Sequence, residues 1–219
     1  PPVTDRAALV VADDLTGAAD TGNEFARRGL ETVVIFDGAG SDPEATIETP
    51  DAPVLVVNTD SRYLEPNGAA ERVATAVRDH PADLVYKKVD STLRGNLAAE
   101  IDAAVDAANA DLAVVAPAFP ANGRVTACGH HLVDGDLVID TAAGRDPDAP
   151  VTTSHLPTLL ADSANPVGQL SVEVVAGGSQ AVADRLVEEC AKVDGPVVIA
   201  GDATHERHLA AIGEGTAAT

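Results

Sequence analysis

Residues 84–96 read Leu-Val-Tyr-Lys-Lys-Val-Asp-Ser-Thr-Leu-Arg-Gly-Asn, and no other segment says as much about the architecture of this chain. The apolar run 84–86 leads into the polar segment 87–96, and a helical pattern of apolar residues follows over 97–108. This order predicts a strand that passes into a helix through a polar loop. Because ligands of open α/β folds bind at the carboxyl ends of the strands, the loop is a candidate binding segment. The plainer interpretation is a solvated basic turn.

Short apolar runs and Ala-rich helical stretches alternate along the rest of the chain in the same way. Strands are predicted over 8–12, 32–36, 54–58, 84–87, 112–116, 169–175 and 197–200. Helices are predicted over 17–28, 67–78, 97–108, 178–192 and 204–212, with Asn67 and Thr204 as N-caps. Nearly continuous apolar strands between helices indicate an α/β fold: a doubly wound, mostly parallel sheet with helices on both faces, a Rossmann-like three-layer sandwich. The Asp-Gly pair inside 131–139 predicts a small β-hairpin insertion. No linker divides the chain, so residues 1–219 are predicted to form one domain.

The acidic charge balance is interpreted as an adaptation to high salt and not as a sign of a particular binding partner. Lysine and arginine number 14 against 35 acids, a formal net charge of 14 − 35 = −21. Phosphate contacts need a basic face and anionic membranes repel an acidic one, so neither nucleic acid nor membrane is an expected partner. Acids spread along a chain that is 45% hydrophobic indicate a halophilic protein, since screening lengths shrink to about 3 Å at 1 M salt. With no apolar run of about 18 residues and no signal-peptide pattern, the expected location is cytoplasmic.

Four polar segments follow predicted strands: 12–18, 58–62, 87–96 and 117–124. In one parallel sheet they would share an edge. Because adjacent residues at a strand end point to opposite sides, Asp13 and Asp14 are not expected to share one pocket; the alternative is that both reach it through a turn. By the same alternation, only one of Lys87 and Lys88 should face the cleft. An Asp here either orients or deprotonates a hydroxyl or simply caps the following helix.

Three arginines also lie in these segments: Arg62, Arg94 and Arg124. A guanidinium binds carboxylate or phosphate through two parallel hydrogen bonds, so these cations predict a small anionic ligand. The alternative for each arginine is an ion pair with one of the abundant acids. The histidines carry no supporting carboxylate pattern, so no metal site is predicted.

The segments Asp13-Asp14-Leu15-Thr16-Gly17-Ala18, Asp60-Ser61-Arg62, 87–95 and Pro117-Ala118-Phe119-Pro120 with Gly123-Arg124 closely resemble the four-carbon acid sugar kinase family in order and spacing. The resemblance runs from about Ala8 to the end of the chain. It implies a two-domain kinase, whose N-terminal domain binds acids such as erythronate, threonate or 3-oxo-tetronate and whose C-terminal domain binds ATP and Mg²⁺. This chain resembles the N-terminal domain, and the nucleotide-binding domain is absent from it.

The resemblance also implies roles for the matching residues. Four cationic residues would hold the carboxylate and later the phosphoryl group: Arg62, Lys88, Arg94 and Arg124. Gly123, which directly precedes Arg124, is also a predicted substrate-binding residue. The remaining polar residues would hydrogen-bond the hydroxyls: Asp13, Asp14, Asp90 and Ser91. Phosphoryl transfer depends mostly on positioning and charge neutralisation, and Asp14 is the predicted catalytic base.

Other functions are weighed against this one. The main alternative is a stand-alone sugar-acid-binding or regulatory domain without catalysis. A phosphatase of the haloacid dehalogenase type needs Asp-x-Asp, and a dinucleotide-dependent oxidoreductase needs G-x-G-x-x-G; neither pattern follows the first predicted strand. The chain also lacks a P-loop motif, so it is expected to have no kinase activity alone. The sequence leaves homo-oligomerisation open.

Overall fold

A computed structural model describes residues 6–36 and 51–219. This part of the chain divides into two compact units, one drawn from 6–36, 51–90 and 99–109 and the other from 91–98 and 110–219. Each unit contains its own parallel sheet.

The first unit is built on a four-stranded parallel sheet in the order β2-β3-β1-β4. Its elements are β1 Ala8–Ala12, α1 Leu15–Arg27, β2 Thr32–Phe36, β3 Val54–Asn58, α2 Pro66–Asp79, β4 Leu84–Lys88 and α3 Leu97–Ala108, of which 99–108 belong to this unit. Leu9 and Val11 pack on the face covered by α2 and α3, and Val10 packs on the face covered by α1. Alternate side chains of the buried central strands thus hold helices on both faces of the sheet.

The second unit combines a parallel sheet in the order β5-β10-β9 with an antiparallel sheet in the order β6-β7-β8. Its strands are β5 Leu112–Val115, β6 Arg124–Ala127, β7 His130–Val133, β8 Asp136–Leu137, β9 Val167–Leu170 and β10 Val197–Gly201. Its α-helices are α4 Leu156–Leu159, α5 Val172–Ala176, α6 Ser179–Cys190 and α7 Glu206–Ala217. Val197 and Ile199 of β10 pack with apolar residues of α5, α6 and α7 to form the core.

The predicted α/β class, with a mostly parallel arrangement and helices on both faces, is confirmed. The parallel strands form two sheets, whereas the pattern favoured one. The Asp134-Gly135 turn joins β7 and β8 as predicted, and β6 adds a third strand that the sequence did not indicate.

Three local predictions are wrong. Residues 169–175 do not form one strand: β9 ends at Leu170, and Ser171 caps α5 by accepting a hydrogen bond from the Val174 amide at 3.4 Å. Asn67 is not an N-cap, because α2 already begins at Pro66, whose ring suits a first helical turn. Thr204 also lies outside the cap position of α7, and its Oγ1 lies 2.9 Å from Nδ1 of the actual N-cap residue, His205.

Candidate ligand-binding site

Asp14 forms the N-terminal cap of α1, directly after β1. Its backbone is extended, and its Oδ1 accepts a hydrogen bond from the Gly17 amide at 3.0 Å. A Cβ at position 17 would lie 2.7 Å from that oxygen and 3.6 Å from Lys88 Nζ. The capping interpretation of Asp14 is therefore confirmed, and the missing side chain of Gly17 leaves room for both charged groups beside the first turn.

Arg62 is the centre of a buried ion-pair network in the first unit, with only 8% of its surface exposed. Its Nε donates to Asp13 Oδ2 at 2.7 Å, and its Nη2 donates to Asp13 Oδ1 at 3.1 Å. Nη2 also lies 2.7 Å from Asp14 Oδ1 and 3.9 Å from Asp90 Oδ1. Burial opposes the charge, but the hydrogen bonds to Asp13 and the charges of Asp13, Asp90 and Asp14 together raise the pKa of Arg62.

Asp13 and Asp14 adopt the alternative in which both carboxylates reach the same place through a turn, because both contact Arg62. Strand alternation ends where β1 ends, and the chain turns there. The amides of Ser61 and Arg62 donate to the Asp13 carbonyl at 3.0 and 3.3 Å, so the loop after β3 is held against the end of β1. From that loop, the long fork of Arg62 reaches both carboxylates.

Lys87 and Lys88 alternate as predicted. Lys87 Nζ lies 3.1 Å from Glu100 Oε2 of α3. Lys88 lies on the side of the acids, and its Nζ donates to the Val89 carbonyl at 2.6 Å. Burial lowers the pKa of Lys88, and the charges of Asp13, Asp90 and Asp14 oppose that shift only in part.

We refer to five predicted site residues of the first unit as the acid cluster: Asp13, Asp14, Arg62, Lys88 and Asp90. Three carboxylates and two cations give the cluster a formal charge of 2 − 3 = −1. Carboxylate oxygens accept hydrogen bonds only, so a cluster of this composition suits the hydroxyl groups of a ligand. The direct binding of a ligand carboxylate by Arg62 stays a prediction, and the guanidinium is already engaged by protein acids.

The second unit contains Ser91 and Arg94, which follow the acid cluster in sequence. The Ser91 carbonyl lies 2.9 Å from Nε2 of the fully buried His131. Arg94 donates to Asp146 Oδ2 at 3.4 Å and to Thr92 Oγ1 at 3.1 Å. The ion-pair alternative thus describes Arg94 in this structure.

Gly123 and Arg124 begin the antiparallel sheet of the second unit. Gly123 has a φ of 73°, and Asp134 Oδ1 occupies the place that a Cβ would take, so the position requires glycine. Arg124 donates through Nη1 to the Asn122 carbonyl, and its Nε is buried without a hydrogen-bond partner. Of the three predicted site arginines, Arg62 and Arg94 contact carboxylates, whereas the described contacts of Arg124 include none.

Sequence reasoning missed Glu100 and His131. Glu100 is 3% exposed and lies on the helical stripe of α3 that also carries Leu97, Ile101 and Ala104. A charged residue within an apolar stripe was the signal that could have identified it, because such a group is buried only with partners. His131 gave no comparable signal.

Across 6–36 and 51–219, no group of three or more His, Cys, Asp or Glu side chains is arranged to hold a metal ion. In the same described ranges, no helix combines the length and apolar character needed to cross a membrane.

The fold and the acid cluster define a class of protein: an α/β domain that presents polar groups after the carboxyl ends of parallel strands, suited to a small polar ligand. Comparison with known proteins gives the family. The chain belongs to the family described as the sugar-binding N-terminal domain, whose model matches residues 8–219. The resemblance to four-carbon acid sugar kinases is thereby confirmed.

Two curated relatives are kinases of four-carbon acids. A D-threonate kinase from Salmonella typhimurium is 39% identical over 212 residues, which cover 94% of this chain and 48% of the relative. A D-erythronate kinase from Heliobacterium modesticaldum is 38% identical over 212 residues, which cover 94% of this chain and 47% of the relative. The chain spans about half the length of these curated relatives.

A solved structure from Bordetella bronchiseptica shares the fold, with a TM-score of 0.77 and 37% identity. The match covers 94% of this chain and 49% of that one. That protein is described as a domain of unknown function, in a domain-swapped dimer with bound citrate.

Proposed function

We propose that residues 1–219 act as the sugar-acid-binding domain of an ATP-dependent kinase for four-carbon sugar acids of the erythronate, threonate or 3-oxo-tetronate type. The observation that carries this proposal is the acid cluster, in which Arg62 holds the carboxylates of Asp13 and Asp14 at 2.7 Å after the end of a parallel strand. Membership in a sugar-binding family, and the names of the curated relatives, support the substrate class.

In this proposal the acids of the cluster bind the hydroxyls of the sugar acid, and Asp14 is the base that receives the proton of the attacking hydroxyl. Asp14 has the most solvent-accessible side chain of the three, at 25% against 2% for Asp13 and 10% for Asp90. Its contacts with Gly17 and Arg62 both use Oδ1, so Oδ2 is the oxygen that we propose for the ligand. A base must lie within hydrogen-bond reach of the proton that it removes.

The cations of each unit are proposed to bind anionic groups. Lys88 borders the acids in the first unit, where burial lowers its pKa and the charges of Asp13, Asp90 and Asp14 oppose that shift. In the second unit, Arg94 and Arg124 are proposed anion-binding residues. Bound citrate in the Bordetella relative is a hydroxy acid with several carboxylates, and it supports a ligand of this chemistry.

ATP and Mg²⁺ are assigned to a nucleotide-binding domain outside these residues. The donors described here do not fit a metal site, and the sequence has no P-loop motif, so no step through ATP is placed on this chain. We propose a cytoplasmic, salt-adapted protein whose partner is a small anionic sugar acid. The domain-swapped dimer of the Bordetella relative supports testing for a homo-oligomer.

The test is calorimetric titration of the chain with D-threonate, D-erythronate and 3-oxo-tetronate. We expect Asp14→Asn to weaken the best ligand roughly ten-fold or more, since a charge-assisted hydrogen bond contributes about 1.5–3 kcal/mol. The control is Asp20→Asn, an exposed acid on the same helix, which should bind as the parent does. Equal loss in both variants, or no binding of any of the three acids, would contradict the proposal. ATP turnover by the chain alone would contradict the assignment of the nucleotide site elsewhere.

A further inference from the structure

A second buried polar network lies in the first unit, and none of its members was given a role above. Glu100 of α3 holds two partners, one with each carboxylate oxygen. The Ser61 hydroxyl donates to Oε1, and Lys87 Nζ lies 3.1 Å from Oε2. Ser61 is fully buried, Glu100 is 3% exposed, and the Lys87 side chain is 7% exposed.

Each partner of Glu100 directly precedes a residue of the acid cluster. Ser61 precedes Arg62, and the amides of both donate to the Asp13 carbonyl at 3.0 and 3.3 Å. Lys87 precedes Lys88 and donates to its carbonyl at 2.9 Å. Glu100 therefore joins the loop after β3 to the end of β4, the two segments from which the cations of the cluster project.

We propose that Glu100 is a positioning residue for the acid cluster. By holding Ser61, it fixes the backbone that directs Arg62 towards Asp13 and Asp14. By holding Lys87 on the side of α3, it turns Lys88 to the opposite side of β4, where the acids are, because successive residues of a strand point to opposite faces.

The energetics favour positioning over simple stabilisation. A buried ion pair loses so much hydration that apolar replacement of both partners is often neutral or stabilising. A carboxylate that is buried within the apolar stripe of α3 is thus a costly way to stabilise a helix against a sheet. What apolar side chains could not reproduce is the pair of directed contacts to Ser61 and Lys87.

The experiment compares Glu100→Gln with Asp106→Asn. Asp106 is exposed on the same helix, so the control removes the same charge without touching the network. The first measurement is amide hydrogen exchange at Ser61 and Arg62, with the Val56 amide of β3 as reference. We expect Glu100→Gln to speed exchange at the first two amides about ten-fold or more and to leave Val56 unchanged, whereas Asp106→Asn should leave all three amides unchanged.

The second measurement is the affinity for D-threonate, which rests on the proposed function and should fall about ten-fold in Glu100→Gln alone. Should the parent chain bind none of D-threonate, D-erythronate and 3-oxo-tetronate, the proposed function fails; should it bind another of the three instead of D-threonate, that acid is the probe. In both cases the exchange data still decide the role of Glu100. A uniform rise in exchange that includes Val56, or exchange and affinity equal to the parent, would overturn the proposal. If Glu100→Gln does not fold, Ser61→Ala tests the same contact without leaving Lys87 unpaired, and the same two amides should exchange faster.

Discussion

Replacing Arg62 by methionine should destabilise the first unit by about 3–5 kcal/mol, the usual cost of removing one partner from a buried ion pair. The guanidinium makes three contacts of 2.7, 2.7 and 3.1 Å to Asp13 and Asp14. At about 1.5–3 kcal/mol for each charge-assisted bond, a simple sum would reach roughly 4.5–9 kcal/mol. The lower range is expected because the contacts are not independent and because Asp14, which is 25% exposed, can recover hydration. The Asp13 side chain is only 2% exposed and cannot recover hydration in this way.

Tyrosine fluorescence during urea unfolding is the natural assay for Arg62→Met. The chain has no tryptophan, and its two tyrosines, Tyr63 and Tyr86, both belong to the first unit. The control is Arg78→Met, an exposed position on α2, which should change the free energy of unfolding by less than about 0.5 kcal/mol. Buried charges are screened little, so the effect of Arg62→Met should persist in molar salt. A loss below about 1 kcal/mol, indistinguishable from the control, would show that water satisfies the acids as well as the guanidinium does.

Two further predictions concern pH and salt. Burial lowers the pKa of Lys88 below its ordinary value of 10.5. Near that pH the folded chain therefore binds fewer protons at Lys88 than the unfolded chain does. The contribution of Lys88 to the free energy of unfolding consequently rises with pH up to about 10.5. Lys88→Met should lack this rise in urea titrations over the alkaline range, and parallel curves for parent and variant would be inconsistent with a lowered pKa. With a net charge of −21, the parent should also melt at higher temperature as salt increases from about 0.1 M to molar concentrations, because screening relieves repulsion among the acids. A melting temperature that does not respond to salt, followed by circular dichroism, would contradict the halophilic interpretation.

The sequence predicted the strands well because their signal is local. Runs such as 54–57 are apolar throughout and followed by polar residues, so burial on both faces can be inferred directly. The failure at 169–175 has the opposite cause. Val172, Val174 and Val175 favour a strand by their branched side chains, but the hydroxyl of Ser171 caps a helical turn there, and this contact outweighs propensity.

The positions of Lys88 and Asp14 at the ends of their elements were predicted more successfully than the long-range contacts of the candidate site. Lys88 and Asp14 could be placed because strand alternation and helix capping act within a few residues. The pairing of Arg62 with Asp13 joins residues 49 apart, and Glu100 reaches Ser61 across 39. Such contacts depend on which strands are neighbours, and the strand order β2-β3-β1-β4 cannot be predicted from the hydrophobic periodicity of any single segment.

The central strand of the second parallel sheet, β10, is also the last strand among the described residues. β5 and β9 each pair with β10, so this sheet can assemble only after Val197–Gly201 has been synthesised. During translation, β5 has no partner in its own sheet until β10 is made, and the first residue of β10 lies 197 − 115 = 82 positions after the last residue of β5. Parallel pairing at such separations is slow, and unpaired strand edges attract other chains. A ribosome that stops short of residue 197 would therefore release a nascent chain whose second unit has no central strand and whose exposed edges favour aggregation.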